Sequence, residues 1–496
     1  MTDAVRRRLP LLGVLVLAAA LRLYGLHNPI LDHPGWRQGD EAAIARNFAQ
    51  LENDIGRPQT DYDGPPPNYV ELELQIVPYL AAQAYRAFGV HEIFARLIVI
   101  AFSLGTVVLL YLFGRDVFSR RAGLVAALAF AVAPGAVYYG RTFTPDTVML
   151  FFMTGTLYWW WRFCDRRDRA DFAWAVIFGA FAWLAKPVAL IAFVPIVALE
   201  VSRRSWRGML QDGYLYAYAV LTLIPSFFYF RHVHDIAEWH WASGITQLHV
   251  LPALRTALTS AHGLLGALQG MLALLRMLAS TVLGPVLFAT AVFSWFALPR
   301  DERERDRLWF FGGWLAAFAA YAFTVVNVER VDYYLFPILP LAALITGGAL
   351  DSFAGLRALR ADVPTLAALG AALFVVVYAN MLEIHAYYTW SRPVYSAASE
   401  LDRVLPEGAL VVMGHYDPSV LYVIGRKGWE EDPLLWTVHD MQSAQRKGAA
   451  YFIAVELPRL RANKALYAYL QRFARVPVSS GWRVYDLRRR APSGDG

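Results

Sequence analysis

The chain has 496 residues, 57% of them apolar and 17% charged, with a mean hydropathy of +0.36. Soluble domains carry about 45–50% apolar and about 25% charged residues, so a water-soluble globular protein is excluded and burial in lipid is expected. The net charge of +6 and isoelectric point near 9.2 do not mark a nucleic-acid partner, because the basic residues form small clusters between apolar runs, a pattern of membrane topology. The single cysteine, Cys164, excludes an internal disulfide framework and reads as apolar filler at a helix end.

In chain order, Arg6, Arg7 and Arg8 precede an apolar run over 9–26. A signal peptide looks similar, but the run is long and many others follow, so it reads as a retained first helix. A stretch of about 20 apolar residues crosses a bilayer as a helix. On that rule about eleven spans are expected, over 9–26, 92–114, 122–139, 146–163, 172–185, 187–200, 214–230, 272–298, 308–326, 333–350 and 363–382. Pro187 breaks the fifth from the sixth, which predicts a tight helical hairpin. Arginine clusters fall at every second connection: 6–8, 115–121, 162–169, 203–207, 300–307 and 357–360. Positive charge stays cytoplasmic, so the N-terminus is expected inside and the C-terminus outside.

The opposite connections are richer. Residues 27–90 hold nine Asp and Glu against four Arg, with two predicted surface helices, Asp40–Leu51 and Val70–Phe88, separated by Pro65-Pro66-Pro67. The 231–271 connection, rich in His, Trp and Gly, reads as a long loop, and 327–332 is short and charged. Irregular backbone at a membrane face is tolerated where it lines a cavity, so a site is expected on this outer side. From about 384 the pattern changes to short strands (408–414, 451–455, 482–487) and helices (418–425, 462–474). The predicted organisation is an α-helical polytopic membrane domain, 1–383, followed by a small extracytoplasmic α/β domain, 384–496, with no Gly-rich phosphate loop.

Acids beside apolar helices are costly unless used or paired. Asp40 and Glu41 open the first predicted surface helix; Asp40 reads either as its N-cap or as a general base that takes a proton from an attacking hydroxyl. Arg141 and Asp146 flank Pro145 at the start of the fourth span, where they pair with each other or Asp146 meets the helix dipole. Lys186 either snorkels to water or binds a lipid phosphate. Arg330 and Tyr333 can hydrogen-bond a phosphate, although interfacial tyrosines need no function. Glu71 and Glu73 start the second surface helix, where the dipole alone favours acids. His232, His234, His240 and His249 follow no strong zinc spacing and read as an interfacial aromatic loop.

The stretches His33–Phe48, Tyr69–Leu80, Arg141–Phe152, Ala185–Leu190 and Val331–Pro340 together resemble the C-type (GT-C) glycosyltransferases, in particular the protein mannosyltransferase-like family 39 and the lipid A aminoarabinose transferases. The resemblance covers about residues 10–350. It implies an inverting transferase of the bacterial inner membrane, with an aspartate of the first outer loop as base, here Asp40 with Glu41 beside it, and Asp146 as the acid of the fourth span. It implies as partners a polyprenyl-phosphate-linked sugar donor, an envelope acceptor (lipid, polysaccharide or protein) and the bilayer. The aminoarabinose transferases carry a lysine in the second surface helix where this chain has Glu71-Leu72-Glu73-Leu74-Gln75, so a phosphate ligand is expected from Lys186, Arg141 or Arg330 instead. No cofactor is called for, and a divalent metal is compatible with this scheme but is not indicated by the residue spacing. Two other classes fit many spans: a lipid or solute transporter or flippase with an external binding domain, and a sensor or scaffold. Transporters place their charged sites near the bilayer midplane, whereas the acids here gather at one face.

Overall fold

The computed structural model describes residues 3–299, 301–353 and 362–492, with the backbone alone for 3–8 and 242. Arg300, Arg357 and Arg360 of the predicted cytoplasmic clusters lie outside the described residues, as do the side chains of Arg6, Arg7 and Arg8. Every one of the predicted apolar stretches falls on helix. By length and composition, six helices among the described residues can cross a membrane: Glu92–Val117, Gly213–Ile236, Ala261–Val282, Glu304–Glu329, Asp332–Ser352 and Val363–Tyr388. Shorter or more polar helices pack between them, including Asp3–Leu23, Arg120–Val132, Asp146–Arg166, Arg169–Ala185 and Phe193–Leu210.

The arginine-bearing connections meet at one end of this assembly. There Arg203 reaches Asp165 at 2.8 Å and Asp306 at 2.9 Å, and Arg303 reaches Asp165 at 3.4 Å. The other end gathers the remaining connections: Arg96 donates to the Leu26 carbonyl at 2.9 Å, and the Tyr138 hydroxyl donates to the Tyr387 carbonyl at 2.6 Å. The break expected at Pro187 falls there, with Lys186 extended between Arg169–Ala185 and a 3-10 turn over Pro187–Ala192.

Several boundaries differ from expectation. The single span expected over 272–298 is two helical pieces, Ala261–Met277 running through a π turn to Val282, then Gly284–Phe296. Gly284 makes the break: its φ is +75°, and a Cβ there would stand 2.3 Å from Asn380 Oδ1. The expected loop 231–271 is mostly helical, through Gly213–Ile236, Trp241–Gly244, a π turn at Ile245–Val250 and Leu251–Thr259. Leu251, Leu254 and Leu258 carry a three-to-four spacing there that the histidines and glycines obscured. The first surface helix is Gly35–Gln50, capped by Pro34, so Asp40 lies inside the helix and is not its N-cap. The second is Ile76–Phe88; residues 69–70 are extended instead, bridging Gln59 and Trp239.

After the last long helix, Arg392–Val404 leads into a five-stranded sheet: β1 (Leu410–Met413), β2 (Lys427–Glu430), β3 (Ala449–Ala454), β4 (Phe473–Val476) and β5 (Arg483–Arg490), in the order β2-β1-β3-β5-β4. β2 and β3 run parallel to β1, while β5 runs antiparallel to β3 and β4. The helix expected over 462–474 is cut short at Leu470, and Phe473–Val476 is strand.

The β2 edge docks on the first outer loop. Gly428 N–H donates to the Asp61 carbonyl at 2.9 Å, and Gly64 N–H to the Gly428 carbonyl at 2.8 Å. The short helix Pro418–Ile424 lies against Gly35–Gln50 so closely that a Cβ on Gly39 would stand 2.5 Å from the Ser419 backbone nitrogen. Because the obstacle is backbone, no side-chain rotation relieves it and one of the two helices must shift. Gly39→Ala is therefore expected to cost about 1–3 kcal/mol of overpacking, read as a lower thermal unfolding midpoint in detergent and faster tryptic cleavage after Arg403.

Candidate functional site

The helix Gly35–Gln50 is polar in composition yet buried from Gln38 to Ala45 and again at Asn47 and Phe48. It is covered by the second surface helix on one side and the C-terminal domain on the other. Its entry is fixed by Gln38, whose amide donates to Asp32 Oδ1 at 2.7 Å and whose oxygen accepts Phe143 N–H at 3.2 Å. Successive helical residues are about 100° apart, so Asp40 and Glu41 face different surroundings.

Glu41 faces the membrane-spanning helices. Arg37, one turn earlier, lies 3.0 Å from Glu41 and also pairs with Glu73 from the second loop segment. Asp146, at the start of its helix, accepts from Lys186 at 2.6 Å, and its other oxygen has no partner among the described residues. The Lys186 ammonium sits 4.5 Å from the ring centre of Tyr334 and 5.2 Å from that of Tyr333. Glu41, Glu73 and Asp146 are all buried, so three carboxylates and two cations share one low-dielectric cluster. Burial pushes Glu41 up to about 8, against the pull of Arg37 and with Glu73, Asp40 and Asp146 adding to the rise.

Asp40 faces the C-terminal domain. One oxygen accepts the Tyr62 hydroxyl at 2.9 Å, and the carboxyl is pushed up to about 7, chiefly by burial, with Arg37 opposing and Asp417 and Asp63 reinforcing. Glu430 of β2 shares this neighbourhood and is pushed up to about 10 by burial and by Asp40. Trp36 meets Tyr416 at a tilt, 5.6 Å between ring centres, and Trp241 edge-on at 6.4 Å, giving this side aromatic walls.

Of the residues predicted from sequence, Glu41, Glu73, Asp146, Lys186 and Tyr333 converge. Arg141 does not: fully buried, it pairs with Asp32 at 2.7 Å, beside Arg96 at 3.3 Å from the same carboxylate. The expected Arg141–Asp146 pair is therefore absent, because Lys186 takes Asp146 and Asp32 takes Arg141. Arg330 is exposed and points its Nε to the Asn327 carbonyl at 3.1 Å. Sequence reasoning missed Arg37, although its i,i+4 spacing to Glu41 signals a helical ion pair. It also missed Tyr62, Asp32 and Glu430, which carry no local signal.

Glu71 belongs to a separate cluster. It accepts from His234 Nδ1 at 2.9 Å and from Ser243 N–H at 3.1 Å and Oγ at 2.8 Å, with His240 Nδ1 at 3.9 Å. Burial would raise its carboxyl, but these bonds win and hold it below its ordinary value. The ligand atoms of Glu71, His234 and His240 lie within 4.8 Å of one another. Two imidazoles and a carboxylate suit a zinc-like divalent cation. The histidine spacing gave no metal signal because the third ligand comes from a different loop, joined through the Val70–Trp239 bridge. His232 and His249 lie elsewhere, bonded to the Gly56 carbonyl at 3.1 Å and to Glu329 at 3.0 Å.

With this geometry in view, comparison with known proteins is informative. Residues 75–229 match the family described as dolichyl-phosphate-mannose-protein mannosyltransferase. The fold matches ArnT from Cupriavidus metallidurans bound to undecaprenyl phosphate, with a TM-score of 0.62 at 16% identity over 96% of this chain and 97% of that one. It also matches the oligosaccharyltransferase AglB from Archaeoglobus fulgidus in complex with an inhibitory peptide and a dolichol-phosphate, with a TM-score of 0.58 at 13% identity over 98% of this chain and 75% of that one. An uncharacterized protein of Aquifex aeolicus (strain VF5) is 23% identical over 284 residues, 55% of this chain and 52% of the relative, so the chain spans about half the length of that curated relative. The chain is thus a multi-span membrane protein with the GT-C glycosyltransferase fold. Within that class, its part over 75–229 matches the protein mannosyltransferase branch.

The Glu71 cluster has a direct check. Micromolar zinc is expected to raise the unfolding midpoint of the purified protein and EDTA to reverse it, whereas Glu71→Ala and His234→Ala each abolish the zinc-dependent shift.

Proposed function

We propose that this protein moves a sugar from a polyprenyl-phosphate donor to an acceptor hydroxyl at the outer face of the bacterial inner membrane, with inversion at the sugar carbon. The observation that carries the reading is the splay of Asp40 and Glu41. One buried acid, bonded to the Tyr62 hydroxyl, faces the C-terminal domain, while the neighbouring acid faces a cluster holding Arg37 and Lys186. A base on one side and cations on the other is the arrangement an in-line displacement needs. ArnT in its complex with undecaprenyl phosphate, and AglB with dolichol-phosphate, support a lipid-linked donor.

An apolar groove of about 360 Å³ supports it further. Leu275, Trp295, Phe318, Leu335 and Ile338 line it, between Ala261–Met277, Gly284–Phe296 and Glu304–Tyr321. Leu335 is the residue after Tyr334, whose ring lies under Lys186, so the groove leads toward the charged cluster. In this reading the prenyl chain occupies the groove and its phosphate meets Lys186 and Arg37. Asp40 takes the proton as the acceptor oxygen bonds to the sugar carbon. The carbon–oxygen bond to phosphate breaks, and polyprenyl phosphate leaves with the electron pair, its growing charge stabilised by the cations. The acceptor enters between Trp36 and the C-terminal domain, and the arginine-rich helix ends face the cytoplasm. The transporter reading is less well supported, since the charged cluster lies at one end of the helices beside the surface loops.

Asp40→Asn is expected to lower sugar transfer from a polyprenyl-phosphate donor by about 10²–10⁴-fold, in a variant with an unchanged unfolding midpoint; full activity overturns the base assignment. Asp40 accepts a proton only when ionised, and its carboxyl is raised to about 7. The rate is therefore expected to fall about tenfold per pH unit below that value and to level off above it, a limb that disappears in the residual activity of Asp40→Asn. Lys186→Gln removes a charge-assisted contact worth about 1.5–3 kcal/mol; donor KM is expected to rise at least tenfold with acceptor KM unchanged.

A further inference from the structure

The C-terminal sheet has two unlike edges. The β2 edge is docked on the outer loop, and the β4 edge, across three intervening strands, has no further strand paired to it among the described residues. Beside that edge lies an open groove of about 430 Å³, within the range of small-ligand sites. Its floor is aromatic: Tyr469, near the end of Lys464–Leu470, meets Phe473 of β4 edge-on at 5.4 Å. Tyr469 is held in place by donating its hydroxyl to Gln445 Oε1 at 2.6 Å, while Gln445 donates to the Leu487 carbonyl at 3.3 Å. Gln442, one turn before Arg446, leaves an exposed amide on the rim.

Guanidinium groups surround this floor. Arg490 lies 5.0 Å over the Phe473 ring, its cross-strand partner, and Arg472 lies 5.6 Å from the Tyr469 ring. Arg446 ends Val438–Arg446 on the facing side. Arg488 pairs with Asp486 at 2.9 Å. Arg446, Arg472 and Arg490 have no carboxylate partner among the described residues, so the groove carries net positive charge that the fold itself does not neutralise. No packing need explains this: Arg446, Arg488 and Arg490 are all exposed, and β5 changes from buried to exposed over its last three residues.

We infer that this groove binds an anionic saccharide, a sugar bearing carboxylate or phosphate, independently of the proposed transfer site. A ring face stacks on Tyr469, the Gln442 amide bonds hydroxyls, and Arg446 and Arg490 take the anion, bidentately where geometry allows. The class follows from the combination. Aromatic and amide groups alone fit a neutral glycan, and arginines alone fit any anion. The site is remote from Asp40 by construction, since the sheet order places β2 and β4 at opposite edges.

The test uses the full chain in detergent and three probes: tetragalacturonate, maltotetraose and inorganic phosphate. Tetragalacturonate is expected to bind at least tenfold more tightly than either other probe, and to weaken as salt is raised. The double variant Arg446→Gln/Arg490→Gln is expected to lose at least tenfold of that affinity, and Tyr469→Ala to lose it with the arginines intact. Asp40→Asn leaves it unchanged, which separates this site from the transfer reaction. Equal binding of maltotetraose or of phosphate overturns the proposal, as does unchanged affinity in the double variant. Both arginines are exposed, so an unaltered unfolding midpoint is expected; should the double variant unfold, Arg446→Glu alone gives the same readout.

Discussion

The geometry of the charged cluster depends on one buried carboxylate, Asp32. It is fully buried between Arg141 and Arg96, themselves fully buried, and it also accepts from Gln38. Arg141 belongs to the segment that leads into Asp146, Arg96 to the second long helix, and Gln38 to the helix that carries Asp40 and Glu41. One acid therefore ties three segments together, and the two guanidiniums extend the tie by donating to the Gly25 and Leu26 carbonyls at 3.1 and 2.9 Å. Leaving one member of a buried ionic group without its partner costs about 3–5 kcal/mol, so the arrangement is held as a unit rather than contact by contact. Its role is positional: Arg141 and Arg96 spend their charge on Asp32, which leaves Arg37 and Lys186 as the cations beside Glu41, Glu73 and Asp146.

Neighbouring acids acquire different characters from the same helix. Both Asp40 and Glu41 are raised by burial, yet what surrounds them differs in kind. Glu41 lies in an ion-pair cluster with Arg37 and Lys186, where carboxylates outnumber the cations. Asp40 meets a tyrosine hydroxyl and further acids, Asp417, Asp63 and Glu430, from the loop and the C-terminal domain. The domain is thus part of the electrostatics of Asp40 and not an appendage to it. Gly39 permits this, since any side chain there would hold Pro418–Ile424 away from the helix.

Much of this was legible in the sequence where the signal is local. Apolar runs located the helices, alternating arginine clusters divided the connections into two sets, and Lys186-Pro187 marked a break. The resemblance in His33–Phe48 and Val331–Pro340 pointed to the GT-C fold that the structural comparison gives. The misreadings share a cause. Of the two readings of Asp40, N-cap or general base, the N-cap one fails because the helix begins at Gly35, with burial on both sides of it. Arg141 looked like the partner of Asp146 because they are five residues apart, while the actual partners, Asp32 and Lys186, are 109 and 40 residues away. The same holds for Glu71, His234 and His240, whose convergence depends on a strand-like bridge between two loops. Sequence periodicity reports which face of one element is buried, and it carries no information on which distant charge is waiting there.

The two sides of Gly35–Gln50 also bear on the proposed reaction, which joins unlike partners at one short polar helix. A lipid-linked substrate brings a long apolar chain that must stay at membrane depth and a phosphate that must stop at the interface. In that reading the groove lined by Leu335 and the cations beside Glu41 lie on the membrane side of the helix. In the proposed reaction the hydroxyl acceptor needs neither lipid nor cations; it needs an ionisable acid and a wall to rest against, the parts that reading gives to Asp40, Trp36 and Tyr416 on the other side. Because helical geometry sets consecutive residues about 100° apart, two adjacent acids reach both sides without any bend in the backbone. In the proposed reaction a negative charge on the acceptor would be disfavoured beside Asp63 and Asp417, so the acids that raise Asp40 toward neutrality also restrict which acceptors suit it.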